Sequence, residues 1–220
     1  ARNALGFRTN RQDIPDNFAE RDLIKGEYNN FGFEARLLSR YRLFGKDATG
    51  LIGTKFYKAD NTSIQGPGSD GSGPDFNLQT ETFPNYGNQS NFRNPNLNIA
   101  VFGENILYLN DKWSVTPGVR FEYIKTESDG FSKRINLDAA GNVILNETEF
   151  SDELNERAFV LFGLGASYKP NDKVEFYANA SQNYRSVTFS DINLVNPNFS
   201  VRPLVDETGM TGDIGFRGTY

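Results

Sequence analysis

What most constrains this chain is a two-residue hydrophobic period, recurring in paired segments that are joined by tight turns at one end and long polar stretches at the other. From Phe31 to Phe44 the residues Phe31, Phe33, Ala35, Leu37, Tyr41 and Leu43 share one face, and Glu34, Arg36, Arg40 and Arg42 share the opposite one. A period of two places successive side chains on opposite faces of a strand. A turn at Gly45-Lys46-Asp47 leads into a second strand, from about Ala48 to Ala59. The unit then repeats: Asn98 to Leu109, a turn at Asn110-Asp111-Lys112, and Trp113 to about Thr126. In that last strand Val115, Pro117, Val119, Phe121 and Tyr123 oppose Ser114, Thr116, Gly118, Arg120 and Glu122. Pro117 lacks a ladder donor and so belongs near the turn end or at an irregularity.

The third unit aligns Ala158, Val160, Phe162, Leu164, Ala166 and Tyr168, turns at Pro170-Asn171-Asp172, and returns with Val174, Phe176, Ala178 and Ala180 together. Its opposite face carries Glu175, Tyr177, Asn179, Ser181, Asn183 and Arg185. A seventh segment sets Met210, Ile214, Phe216 and Tyr220 against Thr211, Asp213 and Arg217. Between the units lie long stretches, from about Asp60 to Pro95, Glu127 to Glu156 and Ser186 to Thr208, which read as loops. Strands of this length with tight reversals on one side and broad ones on the other match bacterial outer-membrane barrels, an asymmetry that soluble sandwiches rarely show.

Composition narrows the choice further. Hydrophobic residues make up only 37% while aromatics reach 14%, with 19 Phe and 10 Tyr. Rings are favoured where a surface meets lipid and interface at once. No window holds the roughly 18 apolar residues of a membrane helix, so the spans would be strands. A net charge of −5 without a basic run argues against nucleic acid as a partner. The chain has no histidine and no cysteine, which removes Ser-His and Cys-His nucleophile systems, disulfides and the usual zinc ligand sets. No enzymatic chemistry, cofactor or metal site is expected. The sequence shows no secretory leader and is read as a mature or internal piece.

The hairpin from Asn98 to Tyr123, with Thr116-Pro117-Gly118-Val119-Arg120 following its short turn, resembles the barrel hairpins of TonB-dependent receptors. The stretch from Gly165 to Asp191 is similar to the ferric-citrate-receptor branch of that family, and Asp206-Glu207-Thr208-Gly209 leading into Asp213-Ile214-Gly215-Phe216 extends the likeness. The first third resembles the family by pattern alone. The resemblance implies an antiparallel transmembrane β-barrel of about 22 strands, of which about seven are expected here, with short periplasmic turns and long extracellular loops. Residues 1–220 would be part of that barrel domain, the plug domain lying elsewhere in a longer chain. It further implies a multi-pass outer-membrane location, uptake of a ferric chelate such as ferric citrate or a siderophore, and coupling through the plug to the inner-membrane TonB complex.

On the face expected to meet water, Arg36, Arg120, Asn183 and Arg185 are the candidate ligand residues, with Arg217 on the same side. The structural alternative pairs these arginines with Glu34, Glu122 or Glu175, or with plug carboxylates, since barrel lumens are densely charged. Arg36 and Arg185 sit nearer the long-loop end than Arg40 or Arg42. In the first long loop Phe83 and Tyr86, with Phe76 and Phe92, could cap a ligand or could pack the loop on itself. Asp70, Asp75 and Glu81 lack the spacing of a calcium loop. Two rival classes remain: a plain porin or adhesin barrel without energy coupling, and a soluble carbohydrate-binding β-sandwich with both sheet faces dry. The second rival requires Val115, Val119 and Phe121 to be enclosed in a core.

Overall fold

The computed structural model describes the backbone of residues 2–8 and residues 20–69, 77–186 and 205–219 in full. Among the described residues every element is a strand: β1 (Arg2–Arg8), β2 (Asp22–Leu43), β3 (Lys46–Pro67), β4 (Asn88–Tyr108), β5 (Trp113–Leu137), β6 (Val143–Asn171), β7 (Val174–Arg185) and β8 (Glu207–Gly218). They hydrogen-bond in chain order in one sheet, β1-β2-β3-β4-β5-β6-β7-β8. The pairings β1 with β2, β6 with β7 and β7 with β8 are antiparallel. The seven segments read from the sequence are β2 to β8, and β1 is an addition.

The strands overrun their expected limits. β3 absorbs Asp60 to Pro67 and β4 absorbs Asn88 to Pro95, so the described part of that connection outside strands is 68–69 and 77–87. The expected loop from Glu127 to Glu156 is a correction: β5 and β6 run through it, and only Asp138 to Asn142 turn. The physical reason is that antiparallel pairing is a backbone property, whereas amphipathic alternation reports a contrast between the solvents on the two faces. Where neither face carries a continuous apolar row the period vanishes, yet the ladder goes on. The same overrun moves two tight turns, to Phe44-Gly45 and Asp172-Lys173.

Two compact units emerge, one formed by Ala1–Phe31, Tyr57–Leu97 and Lys125–Asn155, the other by Gly32–Phe56, Asn98–Ile124 and Glu156–Tyr220. In the first, Asp22 accepts two hydrogen bonds from Gln65 Nε2 at 2.9 and 3.0 Å, and Gly68 N–H donates to the Arg21 carbonyl at 2.7 Å. Leu23 and Ile135 are buried there, and Arg93 forks onto Asp60, Nε to Oδ1 at 2.8 Å. That pairing holds the Asp60 carboxyl below its ordinary value, the Arg93 hydrogen bond being the largest cause. The turn from β5 to β6 is built by Asp138, whose Oδ1 accepts from the Ala140 and Asn142 backbones at 2.9 and 2.8 Å, with Gly141 at φ 84. Those bonds, led by that of the Asn142 side chain, likewise lower the Asp138 pKa.

The second unit keeps the clean alternation. Leu164 faces Ala180, Ala166 faces Ala178 and Tyr168 faces Phe176 across β6 and β7; Ala178 faces Ile214 and Phe176 faces Phe216 across β7 and β8. This apolar face is open: Phe33 is 54% exposed, Val119 47%, Phe121 45% and Ile214 88%. Val119 and Phe121 are therefore not enclosed in a core, as a soluble sandwich requires. A water-soluble protein rarely exposes a contiguous apolar surface of this kind, and hydrocarbon is the solvent that suits it. Beside the tight turns an aromatic row crosses four strands: Trp113 stacks on Tyr168 at 4.5 Å, Tyr168 on Phe176 at 6.4 Å, and Phe176 meets Phe216 at 6.3 Å. Asn110 Oδ1 and Asn171 Oδ1 close the adjacent turns by accepting from backbone amides two and three residues on. The β2–β3 turn instead holds Phe44 at φ 50 with 94% of it exposed, a left-handed conformation costing a bulky residue about 1–3 kcal/mol.

Candidate functional site

The opposite face of the second unit carries the charges, and its organising residue is aromatic. Phe102 lies on β4 with the Arg36 guanidinium 5.7 Å from its ring centroid and the Arg120 guanidinium at 5.4 Å. One ring thus attracts two cations, one from β2 and one from β5, through its negative quadrupole face. β3 runs between β2 and β4, and it has to be thin there. Gly53 supplies the gap, since a Cβ at that position would lie 2.3 Å from Phe102 Cζ.

The arginines are oriented by same-strand glutamates two residues away, where period two returns a side chain to the same face. Arg120 Nε donates to Glu122 Oε2 at 2.7 Å, and Asn98 Nδ2 donates to Glu122 Oε1 at 2.7 Å. Arg36 Nε pairs with Glu34. Asn98 is 9% exposed and its Oδ1 is buried with no hydrogen-bond partner among the described residues, leaving a spare acceptor beside the pair. Each guanidinium spends one edge on its glutamate and lies over the Phe102 ring. An Arg fork has five N–H donors, so donors remain for an anion.

The expected structural pairings are therefore present: Arg36 with Glu34, Arg120 with Glu122, and Arg217 with Glu175 at 2.6 Å. The face continues along β7 and β8 as a polar ladder. Ser167 Oγ donates to Glu175 at 2.6 Å, Asn179 Nδ2 donates to Asp213 at 3.1 Å, Asn183 Nδ2 donates to Thr211 Oγ1, and Arg185 pairs with Glu207 at 3.5 Å. Arg36 and Arg120 come together on one ring. Asn183 and Arg185 stand apart from them at the end of β7 away from its tight turn. There Arg157 and Tyr184 both donate to Asp206, and Phe159 stacks on Tyr184 at 3.8 Å. Phe83 and Tyr86 belong to the first unit, in a turn where Phe83 N–H donates to the Gln79 carbonyl at 2.9 Å and Tyr86 N–H to the Phe83 carbonyl at 3.2 Å. Phe76, Asp70, Asp75 and Tyr220 lie outside the described residues.

Sequence reasoning missed Phe102. A signal existed: counted along β4 from Asn98, Phe102 falls on the hydrated side, where a ring needs a reason to be, and Gly53 sits on the neighbouring strand.

A long-stranded antiparallel sheet with apolar side chains exposed on one face and the other laddered with charges defines a class, the wall of a transmembrane β-barrel. The model of the TonB-dependent receptor-like β-barrel family matches residues 1–220, and the chain belongs to that family. Solved structures agree on the fold. The ferric yersiniabactin uptake receptor FyuA from Yersinia pestis matches with a TM-score of 0.62 at 16% identity, over 91% of this chain and 28% of that one. The ferric citrate transporter FecA, unliganded, gives 0.61 at 16% identity over 90% and 26%. The ferric-catecholate import receptor Fiu from E. coli K12 gives 0.63 at 12% identity over 98% and 34%. The chain thus spans about a third or less of these receptors' lengths. No curated protein sequence matches it.

Proposed function

We propose that this chain forms part of the barrel of an outer-membrane receptor that takes up an anionic ferric chelate, with Arg36 and Arg120 as the first ligand contacts. The single observation that carries the reading is the pair of guanidiniums held on one Phe102 ring on the charged face. Two preorganised forks with spare N–H donors suit a carboxylate- or catecholate-bearing chelate, because planar bidentate recognition of such oxygens is what arginine does best. Three solved neighbours are, by name, ferric-chelate receptors or transporters, which supports the same cargo class. Asn183 and Arg185 would extend the polar path toward the outer end of β7, and Phe83 and Tyr86 would meet cargo from the connection between β3 and β4. The family and its solved neighbours are by name receptors and transporters, which supports a transport role for this chain.

In this reading the apolar face meets outer-membrane lipid, the tight turns are periplasmic, and a plug domain encoded elsewhere in the chain couples the barrel to the TonB complex. Uptake energy then comes from the inner membrane.

The test is uptake of radioactive iron by cells whose sole chelate receptor is the full-length protein. Each charge-assisted hydrogen bond to cargo is worth about 1.5–3 kcal/mol, a roughly ten- to hundredfold loss of affinity on removal. Arg36→Ala with Arg120→Ala should therefore abolish uptake at limiting chelate while surface display stays normal. Undiminished uptake of every ferric chelate the wild type carries would remove both residues from the binding site.

A further inference from the structure

On β2 and β3 the charged face turns apolar beside the paired guanidiniums. Two residues toward the tight turn from Arg36 on β2 and from Gly53 on β3, the same face holds Leu38 and Leu51, because a strand returns a side chain to one side every second residue. Leu38 is 58% exposed, and Leu51 is half-buried. We propose that Leu38 and Leu51 select a cargo whose iron-binding oxygens are carried on aromatic rings, a catecholate or phenolate chelate rather than a polycarboxylate one. The proposal rests on the chelate-receptor reading above and narrows its cargo from anionic to ring-bearing.

Three observations carry it. The first is a leucine where the pattern calls for a polar residue. Leu38 lies between Arg36 and Arg40 on the hydrated side of β2, and a strand's rise per residue sets each of them about 7 Å away along the chain. Arg40 is exposed and has no ion-pair or hydrogen-bond partner among the described residues. An apolar side chain flanked by two guanidiniums matches a ligand that is flat and apolar at its centre with oxygens on its rim. Citrate is polar over its whole surface and gains nothing by covering a leucine.

The second is the company the arginines already keep. Arg36 and Arg120 lie over the Phe102 ring, 5.7 and 5.4 Å from its centroid. A planar guanidinium stacks on rings as well as forking onto oxygens, so an aromatic chelating group can use both on one residue. A carboxylate uses only the fork. The third is charge. On this part of the face Arg36, Arg40, Lys55 and Arg120 are met by Glu34, Glu104 and Glu122, a surplus of one positive charge. Glu104 follows Phe102 by two residues on β4, and a Cβ at Gly118 would meet its Cβ at 3.6 Å. So small a surplus draws a polyanion weakly and leaves selection to the rings.

The experiment is equilibrium dialysis of radioactive ferric chelates against the full-length receptor in detergent, with four probes that separate ring from charge. A tripodal catecholamide chelate is ringed and anionic, its hydroxypyridinone counterpart ringed and uncharged, its hydroxamate counterpart ringless and uncharged, and ferric citrate ringless and anionic. Each ringed chelate should bind about tenfold or more tightly than the ringless one of like charge. Leu38→Asn with Leu51→Asn should weaken the ringed pair by about five- to tenfold and leave the ringless pair unchanged. Both leucines are accessible on a hydrated face, so gel mobility before and after heating should stay that of the wild type, and Leu38→Met should keep wild-type binding. Equal affinity for ringed and ringless chelates of like charge overturns the selection by rings, as does an equal loss across all four probes in the asparagine protein. Arg36→Ala with Arg120→Ala tells the two readings apart. If that change leaves all binding untouched, the chelate site itself falls, whereas arginine-dependent binding that ignores rings refutes only the proposal made here.

Discussion

Replacing Gly53 with alanine should disturb the charged face far more than one methyl group suggests. The added Cβ would meet Phe102 Cζ at 2.3 Å and Cε2 at 2.5 Å. Carbon contacts are comfortable at about 3.5–4.0 Å, so the ring must retreat by roughly 1 Å or more. Forcing a neighbour aside in this way costs about 1–3 kcal/mol. The displaced ring also loses its two cations, worth about 0.5–1 kcal/mol each at exposed sites. Arg36, with 62% of its side chain exposed, belongs at the low end of that range, and Arg120, at 32%, higher. Together Gly53→Ala should destabilise by about 2–4 kcal/mol. In the Phe102→Ala background the space is vacant, and alanine relieves the entropic cost of a strand glycine, so Gly53→Ala should be neutral or stabilising by about 0.5 kcal/mol. Urea midpoints of the refolded full-length receptor, read by gel mobility before and after heating, complete the double-mutant cycle. If Gly53→Ala costs the same in both backgrounds, the ring does not occupy the gap above Gly53 and the paired-guanidinium geometry is wrong.

Three further outcomes follow from the first unit and the aromatic row. Asp60 has its pKa lowered chiefly by the Arg93 hydrogen bond, so the pair's stabilisation is present above the unfolded carboxyl value of about 3.9 and is lost as pH falls through the lower folded value. Amide exchange in β3 and β4 around that pair should therefore accelerate over that acid window, and Arg93→Gln should flatten the response; an unchanged profile in the variant would refute the coupling. Gly141→Ala places a side chain at φ 84 and should fray the β5–β6 turn by about 1 kcal/mol, visible as faster exchange at Ala140 and Asn142 with no effect on cargo uptake. Trp113→Ala removes the 4.5 Å stack on Tyr168 and should cost about 0.5–1.5 kcal/mol beyond the area lost, which Trp113→Phe should largely restore in the same urea assay.

The alternation of Phe31 to Leu43, Val115 to Tyr123 and Ala158 to Ala180 was enough to place the centres of seven strands, their two faces and, to within about two residues, the tight turns. A side chain's face depends only on the parity of its position, and lipid on one side and water on the other write that parity into residue type. The same-strand pairs Arg36 with Glu34 and Arg120 with Glu122 were legible for the same reason, two residues apart being one face of one strand. What the tertiary structure alone decided lies across strands. The extension of β5 and β6 through Glu127 to Glu156 left no period to read, because neither face there carries a continuous apolar row while backbone pairing continues. Phe102 gathering Arg36 from one side and Arg120 from the other depends on the registers of β2 to β5, and register is a property of pairs of strands that no single segment encodes. Gly53 carries meaning only once its neighbour is known, since the space a missing side chain leaves is defined by whatever crosses it.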